Sequence, residues 1–316
     1  MSSRQKGFIT IATGSTQYYK LAANLLRSYR FNCSDPYPFA LITDRENTYT
    51  AEFDDIVLIN DSSFSFMDKL RIFDLSPYDE TIFIDSDSLA FADLNPWFSL
   101  FEEYGDFSLF GYAHEDLNTS YGWFNYSGMK EYRKDITFIP IFNGGVYYMR
   151  NTPACKRVFE IAKNCADNYS DYSFNKFKEP ADEPVLALGM AVCGFKPLDG
   201  ERVYDEFLYD PDEKKLSIDS VSSEVSYDRD GRIVSPSLIH WGSYKTKKAL
   251  YRFETEKLEK YCDSSREKTL SYKMLYDHKL RYYMLLPFDT LVIGRRAYRN
   301  AKRIIKERLK KVCKSV

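Results

Sequence analysis

The alternation of apolar and polar positions divides most of the chain into short apolar runs and longer stretches of helical spacing. Gly-Phe-Ile-Thr-Ile-Ala-Thr over Gly7–Thr13 predicts a first strand, broken by Gly14-Ser15-Thr16. Tyr18, Leu21, Ala22, Leu25, Leu26 and Tyr29 then recur at helical spacing. Phe39–Thr43, ending in Asp44, predicts a second strand, Ile56–Ile59 a third, and Met67–Leu75 a short helix. Thr81-Ile82-Phe83-Ile84 carries no charge, as expected of a central parallel strand covered on both faces, and runs straight into Asp85-Ser86-Asp87. Strands alternating with helices at this spacing predict an α/β fold with a doubly wound, mostly parallel sheet.

Downstream, Asp93–Phe101 predicts a short helix, Phe107–Gly111 a strand, and Tyr112–Asp135 a long loop rich in Tyr, Asn, Gly and Ser. Phe142–Met149 predicts a strand with Gly144-Gly145 at its mouth. Such a pair either admits a ligand close to the backbone or marks a β-bulge. Thr152-Pro153 is a good N-cap and first-turn pair for a helix to about Tyr169. Ala181-Asp182-Glu183-Pro184 opens another, to about Val192. Residues 199–236 are polar and turn-rich, so irregular or hairpin structure is expected there. Ser237–Gly242 predicts a strand that delivers His240 into a glycine-containing loop, with Lys245 beyond it and helical spacing from Thr246 onward.

Composition narrows the class. At 316 residues the chain is long enough for one large α/β domain, with or without an appendage. Hydrophobic residues at 44% and charged ones at 28% are ordinary for a globular protein. The 26 Tyr and 23 Phe are many; core packing is the simpler account of most of them, ahead of stacking on sugars or bases. A net charge of −2 gives no global reason to expect nucleic acid as a partner. Six cysteines include no C-x-x-C pair and no zinc spacing, which fits free thiols in a reducing compartment. The first residues lack the apolar core of a signal peptide, and no apolar run approaches the ~20 residues of a membrane span. A cytoplasmic protein is the expectation.

Asp85 and Asp87 are the leading chemical candidates. Side chains at i and i+2 of an extended chain share a side, and ligands of open α/β sheets bind beyond the carboxyl ends of the strands. Two carboxylates there suit Mg²⁺ or Mn²⁺ shared with nucleotide phosphates, although a strand ending in a polar turn explains the same residues. Strand ends at Thr13, Asp44 and Asp85 place a nucleotide along one edge of the sheet. Neither G-x-G-x-x-G nor G-x-x-x-x-G-K-[ST] occurs, which counts against a dinucleotide fold or a P-loop.

Over roughly residues 7–250 the chain resembles the retaining sugar-nucleotide glycosyltransferases of family eight, which include glycogenin-like and bacterial lipopolysaccharide galactosyl- and glucosyltransferases. The stretch from Met67-Asp-Lys-Leu to Ile84-Asp-Ser-Asp is similar to the family's K-L…Y…D-x-D run, and Phe142-Asn-Gly-Gly-Val146 to its F-N-[AS]-G-V. Asp182-Glu183 stands where the family has D-Q, and Ile239-His240 through Lys245 resembles its I-H…G…K-P-W. The resemblance implies the GT-A type of fold over residues 1–245, with a helical region over 246–316. It implies a UDP-sugar donor, a glycan, glycolipid or glycoprotein acceptor, and Mn²⁺ (or Mg²⁺) held by Asp85, Asp87 and His240. Ile11, Thr13, Gly14 and Tyr18 or Tyr19 would meet the uridine; Lys69, Ser86, Gly242 and Lys245 would line the diphosphate; Asn143 and Gly144 would line the sugar.

By the same resemblance Asp182 would bond sugar hydroxyls and Glu183 would face the anomeric carbon. A glutamate there can act as nucleophile, stabilise an oxocarbenium-like transition state, or serve only as a first-turn acid on a helix. The sequence departs from the family at Pro184, in a spacing one residue shorter from His240 to Lys245, and in Thr246-Lys247 for Pro-Trp. A buried core histidine is the plain alternative for His240. A haloacid dehalogenase-type phosphohydrolase also has a strand followed by D-x-D, but nothing downstream fits it; a non-catalytic nucleotide-sugar binding protein is the other alternative.

The tail stands apart. Between Arg295 and Lys314 ten cations face the single acid Glu307, so with a whole-chain charge of −2 the remainder carries about −11. Val292, Ile293, Tyr298, Ile304, Ile305, Leu309 and Val312 interleave with them. A basic amphipathic helix of this kind reads as an anchor on anionic lipid, peripheral at the inner face of a membrane. A solvated helix and nucleic-acid affinity are the competing accounts.

Overall fold

The computed structural model describes residues 4–118, 122–175, 179–199, 214–229, 231–262 and 272–312. Residues 200–213 of the polar stretch, 119–121 of the loop and Lys314 of the tail lie outside the described residues. The chain forms two compact units: residues 1–218 with 223–240, and residues 219–222 with 241–316.

The first unit is α/β. Strands β1 (Arg4–Ala12), β2 (Phe39–Thr43), β3 (Asp55–Leu58) and β4 (Tyr78–Ile84) carry its sheet, with helix α1 (Thr16–Asn32) between the first two. After β4 come β5 (Ser88–Ala90), β6 (Phe107–Ser108), β7 (Phe110–His114), β8 (Ile139–Phe142) and β9 (Val146–Arg150). The central sheet has the order β3-β2-β1-β4-β9-β6. Its first four strands are parallel, and β9 is antiparallel to both β4 and β6. The chain steps outward from β1 to β3 and returns on the other side of β1 as β4. That reversal opens a crevice beyond the carboxyl ends of β1 and β4, where ligands of such sheets bind.

The uncharged run in β4 is uncharged because both its faces are covered. Ile82 and Ile84 point into one core, shared with Tyr19, Leu25 and Tyr29 of α1. Phe83 points into the other, shared with Val158 of α4 (Pro153–Asp167) and Val185 and Leu188 of α5 (Asp182–Val192). Adjacent residues on opposite faces follow from the period-2 pleat. Much of the aromatic excess is spent here. Phe8 packs on Tyr29, Phe39 and Phe98 with ring centroids 4.6–5.6 Å apart, and Phe101 stacks on Tyr148.

Two predicted strands are each split. Phe107–Gly111 breaks at Leu109, so β6 joins the central sheet while β7 joins a three-stranded sheet with β8 and β10 (Leu198–Asp199). Phe142–Met149 turns at 143–145, so β8 and β9 belong to different sheets. The predicted loop after Tyr112 is in part strand, to His114, and in part 3-10 turns at Tyr126–Gly128 and Lys130–Asp135. Within 199–236, strands β11 (Lys214–Asp219), β12 (Glu224–Arg229) and β13 (Arg232–Val234) make a small sheet. Strand β14 (Leu238–His240) then pairs with β5.

The second unit is helical: a single turn α6 (Gly242–Lys245), α7 (Ala249–Cys262) and a long α8 (Leu280–Val312) with Pro287 inside it. Ala249, Phe253, Tyr276 and Leu285 form its small core. Among the described residues no helix is long and apolar enough to cross a membrane.

Candidate active site

The site is assembled at the carboxyl end of β4. The chain turns there, with the Ser88 N–H donating to the Asp85 carbonyl at 3.1 Å. The turn reading of Asp85-Ser86-Asp87 and the ligand reading therefore hold together. What brings a histidine to the two carboxylates is the antiparallel pairing of β14 with β5, in which His240 lies opposite Ser88. His240 Nε2 comes 3.0 Å from Asp87 Oδ1 and 3.7 Å from Asp85 Oδ2. Asp85, Asp87 and His240 each offer a ligand atom, and these atoms lie within 4.8 Å of one another.

The turn between β8 and β9 forms the opposite wall. Asn143 Oδ1 accepts from His240 Nδ1 at 3.0 Å, which aims Nε2 at the aspartates. The Asp85 N–H donates to the Gly145 carbonyl at 2.8 Å. A Cβ on Gly145 would fall 2.8 Å from His240 Nδ1, and one on Gly144 only 2.6 Å from the Tyr147 hydroxyl and 2.8 Å from Glu183 Cγ. The glycine pair is therefore required by the close approach of backbone to site side chains.

Lys69 crosses beneath this turn. Its ammonium lies 2.8 Å from Asp85 Oδ1 and 3.2 Å from Asp182 Oδ2, and donates to the Gly144 carbonyl at 3.0 Å. Burial alone would lower the Lys69 ammonium, but the charges of Asp182 and Asp85 outweigh it and hold it above its usual range. Lys69 is thus engaged by protein acceptors and orients Asp85 and Asp182. Asp182 also accepts from the Tyr147 hydroxyl at 2.8 Å, and Glu183 Oε1 accepts the Gly144 N–H at 2.9 Å. These contacts, and not a cap from Ala181 at the helix N-cap, hold the two acids toward the site. Burial, and next the charge of Asp182, push the Glu183 carboxyl up.

The donor set fits a divalent cation. With Nδ1 donating to Asn143, a neutral His240 would turn the Nε2 lone pair toward carboxylate oxygens, an arrangement that requires a cation or a proton between them. Burial disfavours the imidazolium, yet the Asp87 hydrogen bond and both aspartate charges overcome it and raise His240. Even with His240 protonated, four carboxylates (Asp85, Asp87, Asp182, Glu183) face two cations, and buried charge of one sign is costly.

At the β1 end of the crevice, Ile11 and Thr13 are half-buried and Gly14 and Tyr18 exposed. Tyr19 is buried, and its hydroxyl donates to Asp44 Oδ1 at 2.6 Å. The Gly14 N–H donates to the same oxygen at 3.0 Å, and Arg45 pairs with Oδ2 at 2.8 Å. Ser86 lies in the turn between the two aspartates. Gly242 and Lys245 open and close α6 in the second unit, Gly242 with φ +68°. The sequence reading missed Tyr147, which looked like strand core, and the Asp44–Tyr19 pair. For Asp44 the signal was its place at a strand end.

Among solved structures the chain is similar to the apo form of the glycosyltransferase GlyE of Streptococcus pneumoniae TIGR4, with 16% identity, 62% of this chain and 45% of that chain covered, and a TM-score of 0.39. The chain thus spans less than half the length of that structure. It is also similar to an active-site variant of LgtC (15% identity, 81% and 95% covered, TM-score 0.48). LgtC as a galactosyltransferase in complex with donor and acceptor sugar analogs matches at 13% identity, with 84% and 99% covered and a TM-score of 0.45. No protein-family model matches the chain, and no curated protein matches it.

Proposed function

We propose that the chain is a retaining glycosyltransferase of the GT-A type that moves glucose or galactose from a UDP-sugar to a glycan, glycolipid or glycoprotein hydroxyl. The observation that carries this reading is the convergence of Asp85, Asp87 and His240 at the crevice, beside Asp182 and Glu183. The ordered sequence motifs point the same way. A divalent ion held by those three residues would supply Lewis-acid neutralisation of the departing nucleoside diphosphate.

The remaining roles belong to the chain's own groups. Lys69 fixes the orientation of Asp85 and Asp182. Asn143 holds the His240 ring in place. Asp182 is set to accept from a sugar hydroxyl, and Gly144 leaves room for the sugar. Ile11, Thr13, Gly14, Tyr18 and Tyr19 lie along the uridine edge, with Ser86, Gly242 and Lys245 assigned to the diphosphate. For Glu183 we adopt transition-state stabilisation during same-face attack. One of its oxygens is tied to the Gly144 N–H, which holds the carboxyl in place beside the sugar position.

Release of nucleoside diphosphate from a panel of UDP-, GDP- and ADP-sugars, with Mn²⁺ or with EDTA, tests the reading. Mn²⁺-dependent UDP release from one sugar is expected. Release of phosphate from generic esters instead, with no UDP release, would move the chain to the phosphohydrolases. The basic end of α8 we assign to an anionic membrane surface at the cytoplasmic face. Arg295, Arg296, Arg299, Lys302 and Arg303 are exposed there, beside exposed Leu291, Ile293 and Tyr298. Removal of residues 294–316 should abolish co-sedimentation with anionic vesicles, and unchanged co-sedimentation would end that assignment.

A further inference from the structure

Phe64 occupies a position that packing does not explain. It is 64% exposed, and its backbone is left-handed, with φ +52°. A bulky residue in that region is strained and needs surrounding structure to hold it. The holding group is Asp68, which is buried. Its carboxylate accepts from the Ser62 hydroxyl at 2.7 Å and from both the N–H and the hydroxyl of Ser63 at 2.9 Å. The Phe64 N–H in turn donates to the Ser62 hydroxyl at 3.1 Å. Burial would raise the Asp68 carboxyl, but these bonds outweigh it and hold it below its usual range. The loop is thus clamped from the residue that precedes Lys69.

The clamped ring lies against Gly14. A Cβ on Gly14 would come 3.0 Å from Phe64 Cδ1, and Gly14 itself has φ +78°. Gly14 follows β1, the parallel neighbour of the strand β4 that runs into Asp85. Its N–H is fixed on Asp44, whose other oxygen holds Arg45. A strained, exposed aromatic face therefore stands beside polar groups past the carboxyl end of β1, with the cation site past the carboxyl end of the neighbouring β4. A planar heterocycle joined to a diphosphate has this sequence of requirements: a flat apolar surface, polar groups for its edge, then positive charge.

We propose that Phe64 is the stacking platform for the nucleobase of the donor, held ready by the Asp68 clamp. This rests on the UDP-sugar reading above. Tyr19 cannot serve, because it is buried with its hydroxyl on Asp44; Tyr18, 46% exposed, is the competing ring. Stacking of a base on an aromatic side chain makes the loss on truncation about tenfold or more in affinity.

The test is calorimetric titration of UDP and of inorganic pyrophosphate, both with Mn²⁺, into the full-length protein and its Phe64→Ala, Phe64→Trp and Tyr18→Ala variants. Phe64→Ala should weaken UDP about tenfold or more and leave pyrophosphate unchanged, while Phe64→Trp should keep UDP affinity. Unchanged UDP affinity in Phe64→Ala, or the loss appearing in Tyr18→Ala instead, would overturn the platform. Equal weakening of UDP and pyrophosphate would mean that the loop, and not the ring, supports the site. No UDP binding by the unsubstituted protein would remove the donor reading itself, a result distinct from those three.

Discussion

Two buried lysine–carboxylate clusters, one in each unit, show how the same chemistry serves opposite ends. In the first, Lys69 pairs with Asp85 and Asp182 while Asp87, His240 and Glu183 crowd the same crevice. In the second, Lys257 pairs with Asp219 at 2.8 Å and Glu254 at 3.1 Å. There Glu254 also accepts the Ser220 N–H at 2.8 Å, and the Ser220 hydroxyl donates to the Glu254 carbonyl at 2.9 Å. Each acceptor in the second cluster is answered by a donor from Lys257 or from the short turn at 220–222. Both clusters hold more carboxylates than cations, but in the second the Ser220, Val221 and Ser222 N–H groups complete the acceptors, whereas the surplus of the first faces a crevice. Completion from within marks a tie; negative surplus at a sheet's switch point marks a place for a cation.

The strongest way to break this contrast is to remove charge from the surplus. Asp87→Asn should lower Mn²⁺-dependent donor turnover by about 10³-fold, several kcal/mol of charge stabilisation. Stability should hold within about 2–4 °C in Tm, since the lost contact with His240 is offset by relief of repulsion among the carboxylates that remain. Turnover and melting temperature of the two proteins, measured in one buffer with Mn²⁺, decide it. Undiminished turnover, or a collapse of Tm, would mean that Asp87 is a structural acid like Glu254.

The first cluster was largely legible in the sequence and the second was not. Asp85, Asp87 and His240 stand at the ends of apolar runs, so strand periodicity carries each to a strand end, while only the resemblance of the ordered motifs implied that the three meet. The acids Asp182 and Glu183 announce a helix start. The doubly wound α/β class followed from the alternation of runs, because a strand covered on both faces must be apolar throughout, as Ile82, Phe83 and Ile84 are. Turns inside apolar runs were not legible: Asn143, Gly144 and Gly145 read as part of a strand, although they reverse the chain and build a wall of the site. Tyr147 looked like core because its ring is core, stacked on Phe83, while its hydroxyl alone reaches Asp182. Asp219, Glu254 and Lys257 gave no signal, because charged residues on a helix and in a turn-rich stretch read as solvated until tertiary structure brings them together.

The second cluster can be broken from its cation. Glu254 is buried, and its carboxyl is pushed up by burial, with the Asp219 charge adding to this and Lys257 and the Ser220 N–H opposing it. Lys257→Met would remove the main opposing charge and leave a buried acid uncompensated, which costs about 3 kcal/mol, the lower end of what one-sided loss of a buried pair does. The expected drop in Tm is roughly 6–12 °C at neutral pH. The double variant Lys257→Met with Glu254→Gln should recover most of it, because Gln can still accept the Ser220 N–H and the remaining charge, on Asp219, keeps the Val221 and Ser222 N–H groups. Thermal melts of the two single variants and the double give the coupling directly. Additive losses would mean that Lys257 and Glu254 act independently, and that the second cluster is not the closed tie its hydrogen bonds describe.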